Sequence, residues 1–97
     1  QRAMALKPDE GAILDSMGWV QYRLGNLELA LDYLRQASAK LPDDPEVAAH
    51  LGEVLWALGQ KDEARQVWDQ ARAAAPEHAY LLRVIGRHPL PPNGALP

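Results

Sequence analysis

Three histidines (His50, His78 and His88) and the acids Glu53, Asp62 and Glu63 are the side chains of this 97-residue chain most able to move protons or hold a metal. Their spacing does not assemble them. No two histidines stand four apart on one helical face, the arrangement a helical zinc site uses, and His50 and His78 fall in different helix pairs. A solitary histidine on such a helix is a structural or solvated residue. Asp62 and Glu63 sit at a helix start, where the backbone dipole favours carboxylates for reasons of stability alone. There is no glycine-rich phosphate loop and no nucleophile beside a base. With no cysteine in the chain, disulfides and Cys-ligated zinc are excluded. The residues point away from an enzyme, and neither cofactor nor metal is expected.

The elements that must position these side chains are set by an internal repeat. Gly18-Trp19-Val20 recurs as Gly52-Glu53-Val54, Leu24-Gly25 as Leu58-Gly59, Ala30 as Ala64, Ala37 as Ala71 and Pro42 as Pro76, each pair 34 positions apart without a gap. Such register marks a stacked supersecondary unit, stabilised by its neighbours, rather than one closed core. Within a unit the apolar period is helical: Ile13, Leu14, Met17, Val20 and Leu24 form one stripe, and Leu27, Ala30, Leu31, Leu34 and Ala37 a second. Gly25-Asn26 divides them, glycine suiting the left-handed residue past a helix end and asparagine capping the next helix. The spacing predicts helices at about 11–24, 27–40, 45–58, 62–75 and 78–87. Asp44 is the expected N-cap of the third, with Pro45 at its first position. Residues 1–10 read as the end of a preceding second helix and a linker, 11–44 and 45–78 as full units, and 79–87 as a short capping helix. The proline-rich 88–97 is expected to be an extended or disordered tail.

Bulk composition adds exclusions. The net charge of −3 and the lack of clustered Lys and Arg leave no nucleic-acid footprint. Charge is uneven, since 45–78 carries six acids against three bases while 79–97 carries only Arg83 and Arg87. No apolar run approaches a membrane span, so direct membrane insertion by this chain is not expected. The start at Gln1 suggests a piece of something longer.

The repeat resembles the tetratricopeptide repeat (TPR), an antiparallel helix pair stacked into a right-handed superhelix. The first unit supplies Leu14, Met17-Gly18, Tyr22, Ala30, Leu34, Ala37 and Pro42. The second supplies Leu51-Gly52, Trp56, Ala64, Trp68, Ala71 and Pro76, with Ala48 an atypical small residue at the early position. The resemblance implies an all-α fold, an α-α superhelix of two full helix-turn-helix repeats flanked by partial repeats. Gly18 and Gly52 should lie where paired helices approach too closely for a side chain, with Leu34 and Trp68 filling the wider gaps between units.

In TPR arrays the first helix of each unit lines a concave face that holds a protein or peptide ligand. Mapped onto this chain, that face carries Ala12, Asp15, Trp19, Tyr22 and Arg23, then Glu46, Ala49, Glu53, Trp56 and Ala57, then Tyr80, Arg83 and Arg87. Trp19 stands at a phase that is normally polar in the family. Either it is a binding residue, large aromatics and Arg being the side chains that dominate interfaces, or it packs on the neighbouring repeat. Tyr22 and Trp56 are expected to be partly structural, and Trp68 core. Arg83 and Arg87 either bind an acidic group or stabilise the end of their helix. The Lys and Asn with which chaperone-binding TPR domains clamp a carboxylate are replaced by Asp15, Trp19, Ala49 and Glu53, so a chaperone-tail receptor is not implied.

The segments Leu14–Gly25, Asp44–Val47 and His50–Trp56 are similar to the C-terminal end of a group of long bacterial TPR proteins. Many of these are outer-membrane lipoproteins facing the periplasm, and some are adaptors between a processing protease and cell-wall hydrolases. That resemblance implies a periplasmic setting, with the cytoplasm as the alternative. Three roles follow: an interaction module within a larger scaffold or adaptor, a structural end-piece of a longer array, or self-association through an uncovered N-terminal end.

Overall fold

The computed structural model describes residues 10–88 and contains five helices: α1 Glu10–Arg23, α2 Leu27–Lys40, α3 Pro45–Ala57, α4 Lys61–Ala74 and α5 Ala79–Arg87. The expected helices thus stand within a residue or so of their predicted limits. The readings of residues 1–9 and 89–97 lie outside the described residues. α1 pairs with α2 and α3 with α4, and α3 also touches α1, α2 and α5.

The turns follow from their residues. Gly25 and Gly59 take φ of 87° and 88°, a conformation that disfavours any side chain. Beyond them the amides of Asn26 and Gln60 return to the carbonyls of Gln21 and Leu55, at 2.9 Å each, which closes the helix ends. Asp44 caps α3 as expected, its Oδ1 accepting from the amides of Glu46 (2.8 Å) and Val47 (3.3 Å). Asn26 departs from expectation, because its side chain makes no cap bond to α2. Its amide group instead donates to the Gln21 side chain at 2.8 Å.

Packing is built around α3, which is buried on nearly all sides. One cluster joins Ala30 and Leu34 of α2 to Leu51, Val54 and Leu55 of α3 and Ala64 of α4; a second joins Ala49, Trp68, Leu81 and Val84. The glycines set the close crossings. A Cβ on Gly52 would lie 1.9 Å from Trp68 Nε1, and one on Gly18 2.7 Å from Leu34 Cγ. Leu34 and Trp68 therefore press on the glycine of their own pair as well as reaching the next unit. The second helices are tied on the surface by Arg35, whose two terminal nitrogens donate to the Glu63 carboxylate at 2.8 and 3.2 Å.

The two units differ in how their apolar stripe is covered. Val47, Leu51 and Val54 of α3 are 2%, 5% and 0% exposed, Leu51 and Val54 lying in one cluster with Ala30 and Leu34 of α2. The same phases in α1, Ile13, Met17 and Val20, are 43%, 41% and 54% exposed, and Leu24 is 67% exposed. Among the described residues no helix lies before α1 to cover them.

Candidate protein-binding face

The first helices of the units, α1, α3 and α5, are laced together by polar and aromatic side chains. His50 of α3 is the hub and is only 7% exposed. Its Nδ1 lies 2.8 Å from Asp15 Oδ1 on α1, and its Nε2 3.1 Å from the Tyr80 hydroxyl on α5. With the proton on Nδ1, the imidazole donates to the carboxylate and accepts from the phenol, so every partner is satisfied. Trp19 lies over this hub, its ring stacked on His50 at 4.1 Å and on Tyr22 at 4.7 Å. Tyr80 meets the imidazole edge-on at 5.6 Å. The hub is structural: both ring nitrogens are used internally.

Glu53 occupies the phase of Trp19 one unit later and behaves alike in one respect. Both side chains reach toward the next first helix, Trp19 to His50 and Glu53 to the end of α5. The Glu53 carboxylate, 5% exposed, accepts from Arg87 at 3.3 Å and is bonded to His88. The His88 ring in turn stacks on Trp68 at 5.5 Å and lies tilted against Trp56 at 5.0 Å. Glu53, expected among the residues lining the ligand-binding face, is turned inward instead, its carboxylate engaged by Arg87 and His88. Ala49 is likewise buried, against Trp68.

The remaining expected residues are accessible to different degrees. Trp19, Tyr22, Trp56 and Tyr80 are half-buried, each leaving part of a ring open. Lys61 stands over the Trp56 ring at 5.1 Å, and Arg83 over Tyr80 at 6.0 Å. Arg23, Arg83, Glu46, Ala12 and Ala57 are exposed. Among the described residues Arg23 and Arg83 enter no ion pair. Burial pushes the Tyr22 phenol above its ordinary range, with Glu53 adding to the rise and Arg87 and Arg23 opposing it. Burial also raises Tyr80; Arg87 opposes the rise, while Glu53, Glu46 and Asp15 add to it. These phenols remain neutral hydrogen-bonding groups on an aromatic face.

Sequence reasoning did not anticipate the Asp15–His50–Tyr80 chain. A signal was present, since its links span 35 and 30 residues, close to one repeat. Polar residues about one period apart on first helices become lateral neighbours. Among the described residues no group of three or more acids and histidines could hold a metal ion, and no helix is long and apolar enough to cross a membrane.

Paired helices in 34-residue register, glycine at each close crossing and a face built from the first helices define a helical-repeat protein. The chain matches the tetratricopeptide repeat family over residues 21–87 and belongs to it. Such domains are generally protein–protein interaction modules and typically non-enzymatic. A TPR repeat-containing protein of Pseudomonas aeruginosa is 62% identical over 52 residues, covering 54% of this chain and 9% of the relative. Protein FlbA of Caulobacter vibrioides is 34% identical over 86 residues, covering 89% of this chain and 14% of the relative. The chain thus spans a small fraction of the length of these curated relatives.

Proposed function

We propose that the α1–α3–α5 face is a peptide- or protein-binding surface within a larger bacterial TPR scaffold or adaptor. The observation that carries this reading is the row of half-buried rings, Trp19, Tyr22, Trp56 and Tyr80, flanked by the exposed guanidiniums of Arg23 and Arg83. These rings are already ordered by stacking, so engaging a ligand costs little side-chain entropy. Asp15 and Glu53 act by holding the face in shape, whereas Glu46 and the two arginines remain free to meet a ligand. The similarity to long bacterial TPR proteins supports membership of a larger array, and the uncovered stripe of α1 supports it independently. A periplasmic adaptor role, with its lipid anchor elsewhere in the protein, rests on that resemblance alone. Photo-crosslinking tests the surface: benzoylphenylalanine at Tyr22 should trap a protein from bacterial extract, and the same probe at Gln66 on exposed α4 should not. Equal trapping at both sites contradicts the assignment.

A second reading is a structural end-piece. It is favoured by the Glu53–Arg87–His88 cluster, which ties down the C-terminal end of the helical stack. In that role the chain extends an array that binds elsewhere, through the α1 stripe, and self-association through the same stripe is its variant. A monomer at high concentration by light scattering removes the variant.

A further inference from the structure

The first helices bind up their acids and leave their bases open. α3 lies between α1 and α5 and touches both. Asp15 is held by His50 at 2.8 Å, and Glu53 by Arg87 at 3.3 Å and by His88; their side chains are only 14% and 6% exposed. Glu10 is drawn to Lys40 on α2. The bases are placed differently. Arg83 stands over Tyr80 and Lys61 over Trp56, both exposed, and exposed Arg23 lies one helical turn beyond Trp19 on the same side of α1. Among the described residues none of these three bases enters an ion pair. Glu46, one turn before His50, is the single exposed acid of the described first helices that no base meets.

A chain of net charge −3 thus offers Arg23, Lys61 and Arg83 against Glu46 on its aromatic face. Arginine and lysine only donate, so a ligand seated among them must bring acceptors. A carboxylate meets a guanidinium best, through two parallel hydrogen bonds. The row joining the two arginines is continuous. Trp19 stacks on His50 at 4.1 Å, His50 meets Tyr80 at 5.6 Å, and Arg83 lies 6.0 Å from the Tyr80 ring. With about 5–6 Å for the turn between Trp19 and Arg23, the two guanidiniums stand roughly 20 Å apart along this row. An extended chain covers that span in roughly six residues.

Resting on the reading of this face as a protein-binding surface, we propose that its ligand is an acidic segment of a partner protein, laid across α1, α3 and α5. The segment carries a carboxylate at each end and apolar residues between. One carboxylate meets Arg23 and the other Arg83. The apolar residues cover the open parts of Trp19 and Tyr80, and Glu46 on the middle helix repels an acid at the centre. Lys61 lies beside this row, where its charge favours the approach of an acidic chain.

Selection of a phage library of random peptides on the immobilised full chain tests this, read by sequencing what is enriched. Enriched peptides should carry two Asp or Glu roughly five to seven positions apart with apolar residues between. Arg23→Gln/Arg83→Gln should lose the acidic preference, and Arg23→Glu/Arg83→Glu should select Lys and Arg at those positions instead. Circular dichroism confirms that both variants keep the parent's helicity. A synthetic copy of the most enriched peptide should bind the parent roughly tenfold tighter than the same copy with its acids changed to Asn and Gln. Neutral or basic peptides on the parent, or acidic peptides enriched equally on the parent and the Gln variant, overturn the proposal. If such peptides are lost on Trp19→Ala, the face still binds proteins and only its acidic preference falls. A library that yields nothing while crosslinking at Tyr22 succeeds also overturns the acidic segment alone; failure of both overturns the binding surface itself.

Discussion

Asp15 and His50, 35 residues apart in the chain, are joined by a 2.8 Å hydrogen bond across two first helices. The far side of the same imidazole holds Tyr80 of α5 at 3.1 Å. A single side chain thus fixes the lateral register of three helices. In a repeat stack each unit touches only its neighbours, so a bridge of this kind sets the shape of the face that those helices form.

Removing the hub should loosen the stack. His50→Ala leaves the Asp15 carboxylate and Tyr80 hydroxyl without their partner and takes the support from under Trp19. Unmade bonds at buried polar groups cost about 1–3 kcal/mol. Urea denaturation followed by helical circular dichroism should show a lower midpoint for His50→Ala, whereas His78→Ala should fall well short of that loss. His78 caps α5 through one 3.2 Å bond to the Leu81 amide and holds no second helix.

Gly52 tests the crossing geometry. Alanine gains about 1 kcal/mol of helix propensity over glycine. At Gly52 that gain is opposed by a Cβ 1.9 Å from the rigid, buried indole of Trp68. Overpacking of this kind costs on the order of 1–3 kcal/mol, and the indole cannot yield without giving up its bond to Ala49. Gly52→Ala should therefore destabilise, and by more than Gly18→Ala, where the opposing group is the flexible Leu34 at 2.7 Å. Thermal melts of the two variants check the order.

Much of this architecture was legible in the sequence because it depends on residues with narrow conformational or steric roles. Gly25 and Gly59 permit positive φ, Pro45 suits a helix start, and Gly18 and Gly52 leave room for Leu34 and Trp68. These repeat in phase, so the helices could be placed within a residue or so. The face was less legible. Periodicity says which helix side a residue is on but not how far its side chain leans toward the next unit. Trp19 and Glu53 share a phase, and both lean across, one stacking on an imidazole and the other sinking beneath Arg87 and His88. The exposed α1 stripe has a similar cause: its apolar pattern equals that of α3, and only the neighbour that covers it differs.

The helix caps separate what residue type alone suggests from what geometry delivers. Asp44 accepts from two amides of α3, and loss of an N-cap costs about 1 kcal/mol. Asn26 makes no such bond to α2. Asp44→Ala should lower the denaturation midpoint, and Asn26→Ala should change it far less. Equal losses would mean that Asn26 caps α2 in solution.

Alkaline pH should weaken the fold through its two semi-buried phenols. Tyr22 and Tyr80 ionise above the ordinary value of 10.0 in the folded chain, chiefly because burial disfavours the phenolate. Unfolded phenols ionise at the ordinary value. The contribution is therefore fully present below pH 10.0 and is lost as pH rises through the higher folded values. Stability between pH 9 and pH 11 should fall less steeply in Tyr22→Phe/Tyr80→Phe than in the parent chain, as read by urea midpoints.

Capture from bacterial extract decides whether the α1–α3–α5 face binds a protein partner. The parent chain and Trp19→Ala/Arg83→Ala would be compared side by side, with circular dichroism confirming equal helicity. The parent should retain a partner, identified by mass spectrometry, that the folded double variant loses at least tenfold, the equivalent of about 1.4 kcal/mol. Equal capture by two equally folded proteins would contradict it and place the binding surface elsewhere.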